Sequence, residues 1–97
     1  MNAVFEALAH PARREVLGLL RRHGELSAGV LAEHLDISKP TLSHHLAALT
    51  RSGLLDREKR GLYVYYRLNQ SLVEEVVHAV FDLLGVGETP AQPQEDP

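Results

Sequence analysis

The chain has 97 residues, a formal net charge of -3, 44% hydrophobic residues and no cysteine. This is one domain that buries roughly 60 to 68% of the surface its unfolded chain exposes, and the missing thiols exclude disulfides, thiolate metal sites and cysteine nucleophiles together. No run approaches the ~20 apolar residues of a membrane span, and the first residues lack the basic-then-apolar layout of a signal peptide, so a cytoplasmic chain without a membrane partner is expected.

Residues 3 to 8, AVFEAL, read as a short apolar helix that stops at His10-Pro11. Pro11 suits the first position of a second helix, where its missing N–H would have no partner anyway. In PARREVLGLLRRHG, Val16, Leu17, Leu19 and Leu20 form an apolar stripe, Arg13, Arg14, Arg21 and Arg22 lie largely off it, and Gly24 closes the helix. Ser27 can cap a third helix with Val30, Leu31 and Leu35 inward, until Asp36 begins a turn; Ser38 caps a fourth, ended by Gly53. Two helices joined by a three-residue turn have the spacing of a helix-turn-helix.

In LLDREKRGLYVYYRL the period changes from helical to alternating: Tyr63 and Tyr65 point one way, Val64 and Tyr66 the other, around a turn at Lys59-Arg60-Gly61. This predicts a β-hairpin with a basic tip. The helical period returns after Asn69, with Val73, Val76, Val77, Val80, Phe81 and Leu84 on one face. The fold expected is thus mostly α with a small β-hairpin, a winged helix-turn-helix of about five helices and a two-stranded wing over residues 1–84. Residues 85–97, GVGETPAQPQEDP, read as an acidic, Pro-rich disordered tail.

The average charge hides a division. Residues 39–67 hold Lys39, Arg51, Arg57, Lys59, Arg60 and Arg67 against Asp56 and Glu58, a balance of +4, whereas residues 69–97 hold six acids and neither Lys nor Arg. The middle suits phosphates and the acidic end faces elsewhere. On the fourth helix Leu42, Leu46 and Leu49 share a face, His45 flanks it as a packing residue, and Pro40, Ser43, His44, Ala47 and Arg51 point away, with Lys39 and Thr41 at the margins. Short, hydrogen-bonding or cationic side chains at a helix N-terminus suit a recognition helix, whose backbone must come close to base edges. Ser38 and Pro40 also have a plainer role as caps. Lys59 and Arg60 could be solvated charges, or could grip a flanking phosphate or minor groove.

NAVFEALAHPARREVLGLL, LSAGVLAEHLDISKPTLSHHLAALTRSGLL and GLYVYYRLN together resemble the ArsR family of winged helix-turn-helix repressors, and most of all its SdpR-type autorepressor branch. The resemblance spans about residues 2–84, and its most specific part is SKPTLSHHL followed by LxxLxxxGLL. It implies a homodimer that binds double-stranded DNA at an inverted-repeat operator and represses transcription. Carried over by position, Ser38, Lys39, Pro40, Thr41, Ser43, His44 and His45 would belong to the reading helix, and Lys59, Arg60 and Gly61 to the wing. The first and last helices would form the dimer through Val4, Phe5, Leu8, Val73, Val76, Val77, Val80, Phe81 and Leu84. A small domain with this much apolar terminal surface leads to the same expectation on its own.

The chain departs from the metal-sensing members of that family. Their cysteine motif would fall near Leu31 to Asp36, where LAEHLD offers no thiol. Glu74, His78 and Asp82 do share one helical face and could gather Zn²⁺ or Ni²⁺ across a dimer axis, or could be solvated surface. The expectation is a repressor without a cofactor, relieved by a protein partner if by anything; a metal-responsive repressor and a winged helix used only for protein contacts are the alternatives. No phosphate loop, activated nucleophile or carboxylate pair suggests an enzyme.

Overall fold

The computed structural model describes residues 1–85. The elements run α1 (Asn2–Leu8), α2 (Pro11–His23), β1 (Glu25–Ser27), α3 (Ala28–Leu35), α4 (Lys39–Ser52), β2 (Leu55–Arg60), β3 (Tyr63–Leu68) and α5 (Gln70–Leu84). All five expected helices and the hairpin are present. The tail expected over 85–97 lies, apart from Gly85, outside the described residues.

Helix ends fall where the capping chemistry puts them. Ser27 Oγ accepts the Val30 N–H at 3.2 Å, Ser38 Oγ accepts that of Thr41 at 3.3 Å, and Asn69 Oδ1 accepts that of Leu72 at 3.1 Å. Each satisfies a donor that the first helical turn leaves free. Asp36 takes a left-handed conformation at φ 50°, which a short polar side chain tolerates, and so makes the sharp corner between α3 and α4. Gly53 is required twice over: its φ is +90°, and a Cβ there would stand 2.8 Å from Leu72 Cδ2.

The sheet differs from the expected two-stranded wing. Glu25–Ser27 pairs antiparallel with Tyr65–Arg67, giving a three-stranded sheet in the order β1-β3-β2. Three residues are too short to show alternation, which is why β1 could not be read from the sequence. The hairpin turn also lies later than expected. Arg60 pairs with Tyr63, so Lys59 and Arg60 belong to β2 and the two turn residues are Gly61, at φ +60°, and Leu62. Only glycine supplies the positive φ at the first turn position without strain.

One hydrophobic core joins Val4 and Ala7 of α1, Val16, Leu19 and Leu20 of α2, Leu31 of α3, Leu42, Leu46 and Leu49 of α4, Leu54, Leu55, Tyr66, and Val76 of α5. Two expectations need correction. Val30 is exposed, because α3 is only two turns long and turns a single stripe inward. Arg13 is 7% exposed although it is charged; it lies against α4, where His45 receives it.

Candidate nucleic-acid interface

Helix α4 seats itself through Leu42, Leu46 and Leu49 and leaves Lys39, Pro40, Thr41, Ser43, His44, Ala47 and Arg51 exposed. Ser38 acts as the cap: besides accepting the Thr41 N–H, its hydroxyl donates to Thr41 Oγ1 at 2.8 Å, which spends the Ser38 hydroxyl and leaves the Thr41 O–H free to donate. Ser43 and His44 stand exposed in the middle of the free face.

His45 does what its flanking position suggests. It is half-buried, and Arg13 Nε donates to its Nδ1 at 3.1 Å. An Nδ1 that accepts leaves the proton on Nε2, so the ring is neutral. Burial pushes its pKa below the ordinary histidine value, and the positive Arg13, then His44 and His10, push the same way. His45 thus ties α4 to α2 instead of facing outward with His44.

The wing divides its cations by strand alternation. On one face Arg60 donates to Glu25 at 2.6 Å and to Glu58 at 3.1 Å, Arg67 approaches the same two carboxylates at 3.5 and 3.4 Å, and the Arg60 guanidinium lies 4.3 Å from the centre of the Tyr65 ring. Hydrogen bonds from Arg60, and then its charge and that of Arg67, hold the Glu58 carboxyl below its usual range; the hydrogen bond to Glu25, and then that to Glu58, raises the Arg60 guanidinium above its own. This network ties β1 to the wing and leaves Arg60 with its charge already paired. Arg57 and Lys59 lie on the other face, opposite Tyr66 and Val64. Arg57 shares an open trough with Ser43, Ala47, Thr50 and Arg51 of α4. Sequence reading counted Arg57 in the basic middle segment without giving it a place of its own; standing two residues before Lys59 on the same strand, it shares that residue's face. Leu62 stands 94% exposed at the wing tip beside Gly61.

Of the terminal residues expected to join two copies, Val4 and Val76 are buried in the protomer's own core, Leu8, Val73 and Val80 pack against its edge, and Phe5, Val77, Phe81 and Leu84 are exposed. Glu74, His78 and Asp82 are exposed on α5. Among the described residues, no three His, Asp or Glu side chains come together in a way that would hold a metal ion, and no helix is long and apolar enough to cross a membrane.

Residues 8–58, which hold the paired helices and the start of the wing, match the family model described as a helix-turn-helix domain. Over 88 residues the chain is 36% identical to the transcriptional repressor SdpR of Bacillus subtilis, covering 91% of this chain and 97% of that one. The chain belongs to the ArsR family of winged helix-turn-helix repressors. A crystallised ArsR family transcriptional regulator superposes with a TM-score of 0.71 at 31% identity, covering 91% of this chain and 92% of the other. The transcriptional repressor BigR of Xylella fastidiosa does so with a TM-score of 0.66 at 29% identity, over 84% and 83% of the two chains.

Proposed function

We propose that this chain is a sequence-specific DNA-binding repressor that acts as a homodimer on an inverted repeat, its own promoter among the targets, without a metal cofactor. The observation that carries the reading is the free face of α4. Ser43 and His44 are exposed and unspent while three leucines and the Arg13–His45 bond fix the helix beneath them. A helix held this firmly, with small polar groups outward, can bring its backbone to the floor of the major groove. Arg51, Arg57 and Lys59 line the approach between helix and wing, where phosphates of the flanking backbone would lie. Lys39 serves a phosphate at the helix start, and Pro40 and Thr41 keep that end short.

SdpR and BigR are repressors by name, which supports the same role here. Phe5, Val77, Phe81 and Leu84 supply an apolar surface on which a second copy would seat, setting two α4 helices against successive turns of DNA. The acidic character of α5 and of the chain after it keeps that end away from the duplex. A protein partner that covers α5 would relieve repression by separating the copies.

Fluorescence-anisotropy titration of the chain against DNA upstream of its own coding region, with a scrambled duplex as control, tests this. Tight binding confined to the promoter duplex and unchanged by added Zn²⁺ is expected. Equal affinity for both duplexes would sink the sequence-specific reading, and release by Zn²⁺ would move Glu74, His78 and Asp82 from surface to sensor.

A further inference from the structure

Between α1, the start of α2 and the C-terminal half of α4 lies a cleft of about 450 Å³, lined by Glu6, His10, Arg13, Arg51 and Ser52 among alanines. Its floor is unusual because Arg13 is 7% exposed and still cationic. Arginine does not lose its proton in proteins, so burial cannot be relieved by neutralisation and a buried guanidinium calls for a counter-charge. Among the described residues none is supplied: no carboxylate lies within ion-pairing distance of Arg13, and its side chain makes a single hydrogen bond, from Nε to His45. Among the described residues no buried side-chain nitrogen is sealed off without a partner, so the two Nη atoms, which form no hydrogen bond there, keep access to solvent, and Arg13 is part of the cleft lining. Arg51 brings a second guanidinium from α4, and His10 stands at the N-cap of α2, its ring 6.1 Å from that of His45. Ser52 is spent locally, donating to Leu49 O at 2.7 Å and accepting from Leu54 N at 3.3 Å. Glu6 is the lone carboxylate of the lining and falls short of both arginines.

We propose that this cleft binds a phosphate-type oxyanion between the guanidiniums of Arg13 and Arg51, with His10 on its flank. The planar fork of arginine matches such an anion with two parallel N–H donors. The cleft lies about two turns of α4 beyond His44, although Arg51 itself shares the reading face and also lines the trough beside the wing. The cleft is also joined to that face because Arg13 holds His45 and so bears on how α4 is seated. The occupant is either a free phosphate or phosphate ester, which would make the cleft an effector site, or a backbone phosphate of bound DNA.

NMR titration of the full chain with inorganic phosphate, without DNA and at an ionic strength held constant with chloride, tests the site independently of any DNA reading. Saturable shifts of the His10 and His45 rings and of Arg13 Nε–H are expected. Half-saturation should rise about five- to tenfold in Arg51→Gln, the loss of one charge-assisted contact, and should fall in Glu6→Gln, where a competing carboxylate is removed. Shifts that grow linearly, that chloride reproduces, or that neither substitution alters would overturn the proposal. Repeating the titration with DNA bound identifies the source of the anion: saturation that persists marks a free effector, and saturation abolished by DNA marks a backbone phosphate in the same place.

Discussion

Helices α4 and α5 have nearly equal lengths and each carries an apolar stripe, yet the fold disposes of the two stripes in opposite ways. Leu42, Leu46 and Leu49 of α4 are all 2% exposed or less, so its outer face is left short and mostly polar. On α5 only Val76 is buried, and Val77, Phe81 and Leu83 remain 43, 45 and 76% exposed. An apolar stripe is therefore not by itself a sign of core. In the function proposed above, the helix whose stripe is consumed in the chain's own core would address a polar partner, and the helix whose stripe is left over an apolar one.

The largest effect should come from breaking the α5 side of this contrast. Phe81→Asp places a charge in the exposed stripe; light scattering should show a monomer, and affinity for an inverted repeat should fall by roughly 100-fold or more as two linked half-sites become one. A variant that stays dimeric would place the joining surface elsewhere. On the α4 side, Leu49→Ala should cost about 2–5 kcal/mol of stability in denaturant unfolding, since its side chain is fully buried. Ser43→Ala or His44→Ala should leave stability alone and cost about 1–3 kcal/mol of binding on the preferred sequence only; an equal loss on scrambled DNA would make these residues phosphate contacts.

The wing gives a smaller and more graded test. Removing Arg57 or Lys59 from both copies should flatten the log-log salt dependence of binding by about 2, one contact per copy, whereas Arg60→Gln should change it less because that charge is paired with Glu25 and Glu58. The reverse order would show that the ion pairs open on DNA. Smallest is a pH effect. The His45 pKa in the folded chain lies below its ordinary 6.5. Above about pH 6.5 nothing is lost; as pH falls from there toward the folded pKa, the unfolded chain takes up a proton that the folded ring refuses, and stability declines. Unfolding midpoints across that range should decline more in the parent than in His45→Gln.

What the sequence disclosed follows from how each feature is encoded. The helices were legible because caps such as Ser27, Ser38 and Asn69 stand directly before periodic leucines and valines. The position of Gly53 told where α4 must end, though not that Leu72 crowds it. Strand β1 was invisible since its identity rests on pairing with Tyr65–Arg67, a contact some 40 residues away in the chain. Charge was the least legible property. Arg60 looked like a free cation and is paired, Arg57 counted only toward a basic segment and lines the trough beside α4, and Arg13 looked like surface and is buried. Each of these depends on a neighbour brought by the fold and on none in the local sequence.

Whether the free face of α4 reads bases is decided by selecting the full chain against a pool of random duplex DNA, an experiment that works whatever the operator is. Enrichment of an inverted repeat with half-sites about one helical turn apart is expected, with a changed base preference within the half-site when His44→Ala is selected in parallel. A pool from which no sequence is enriched, or an enriched site that His44→Ala and Ser43→Ala read in the same way as the parent, would contradict that role for α4.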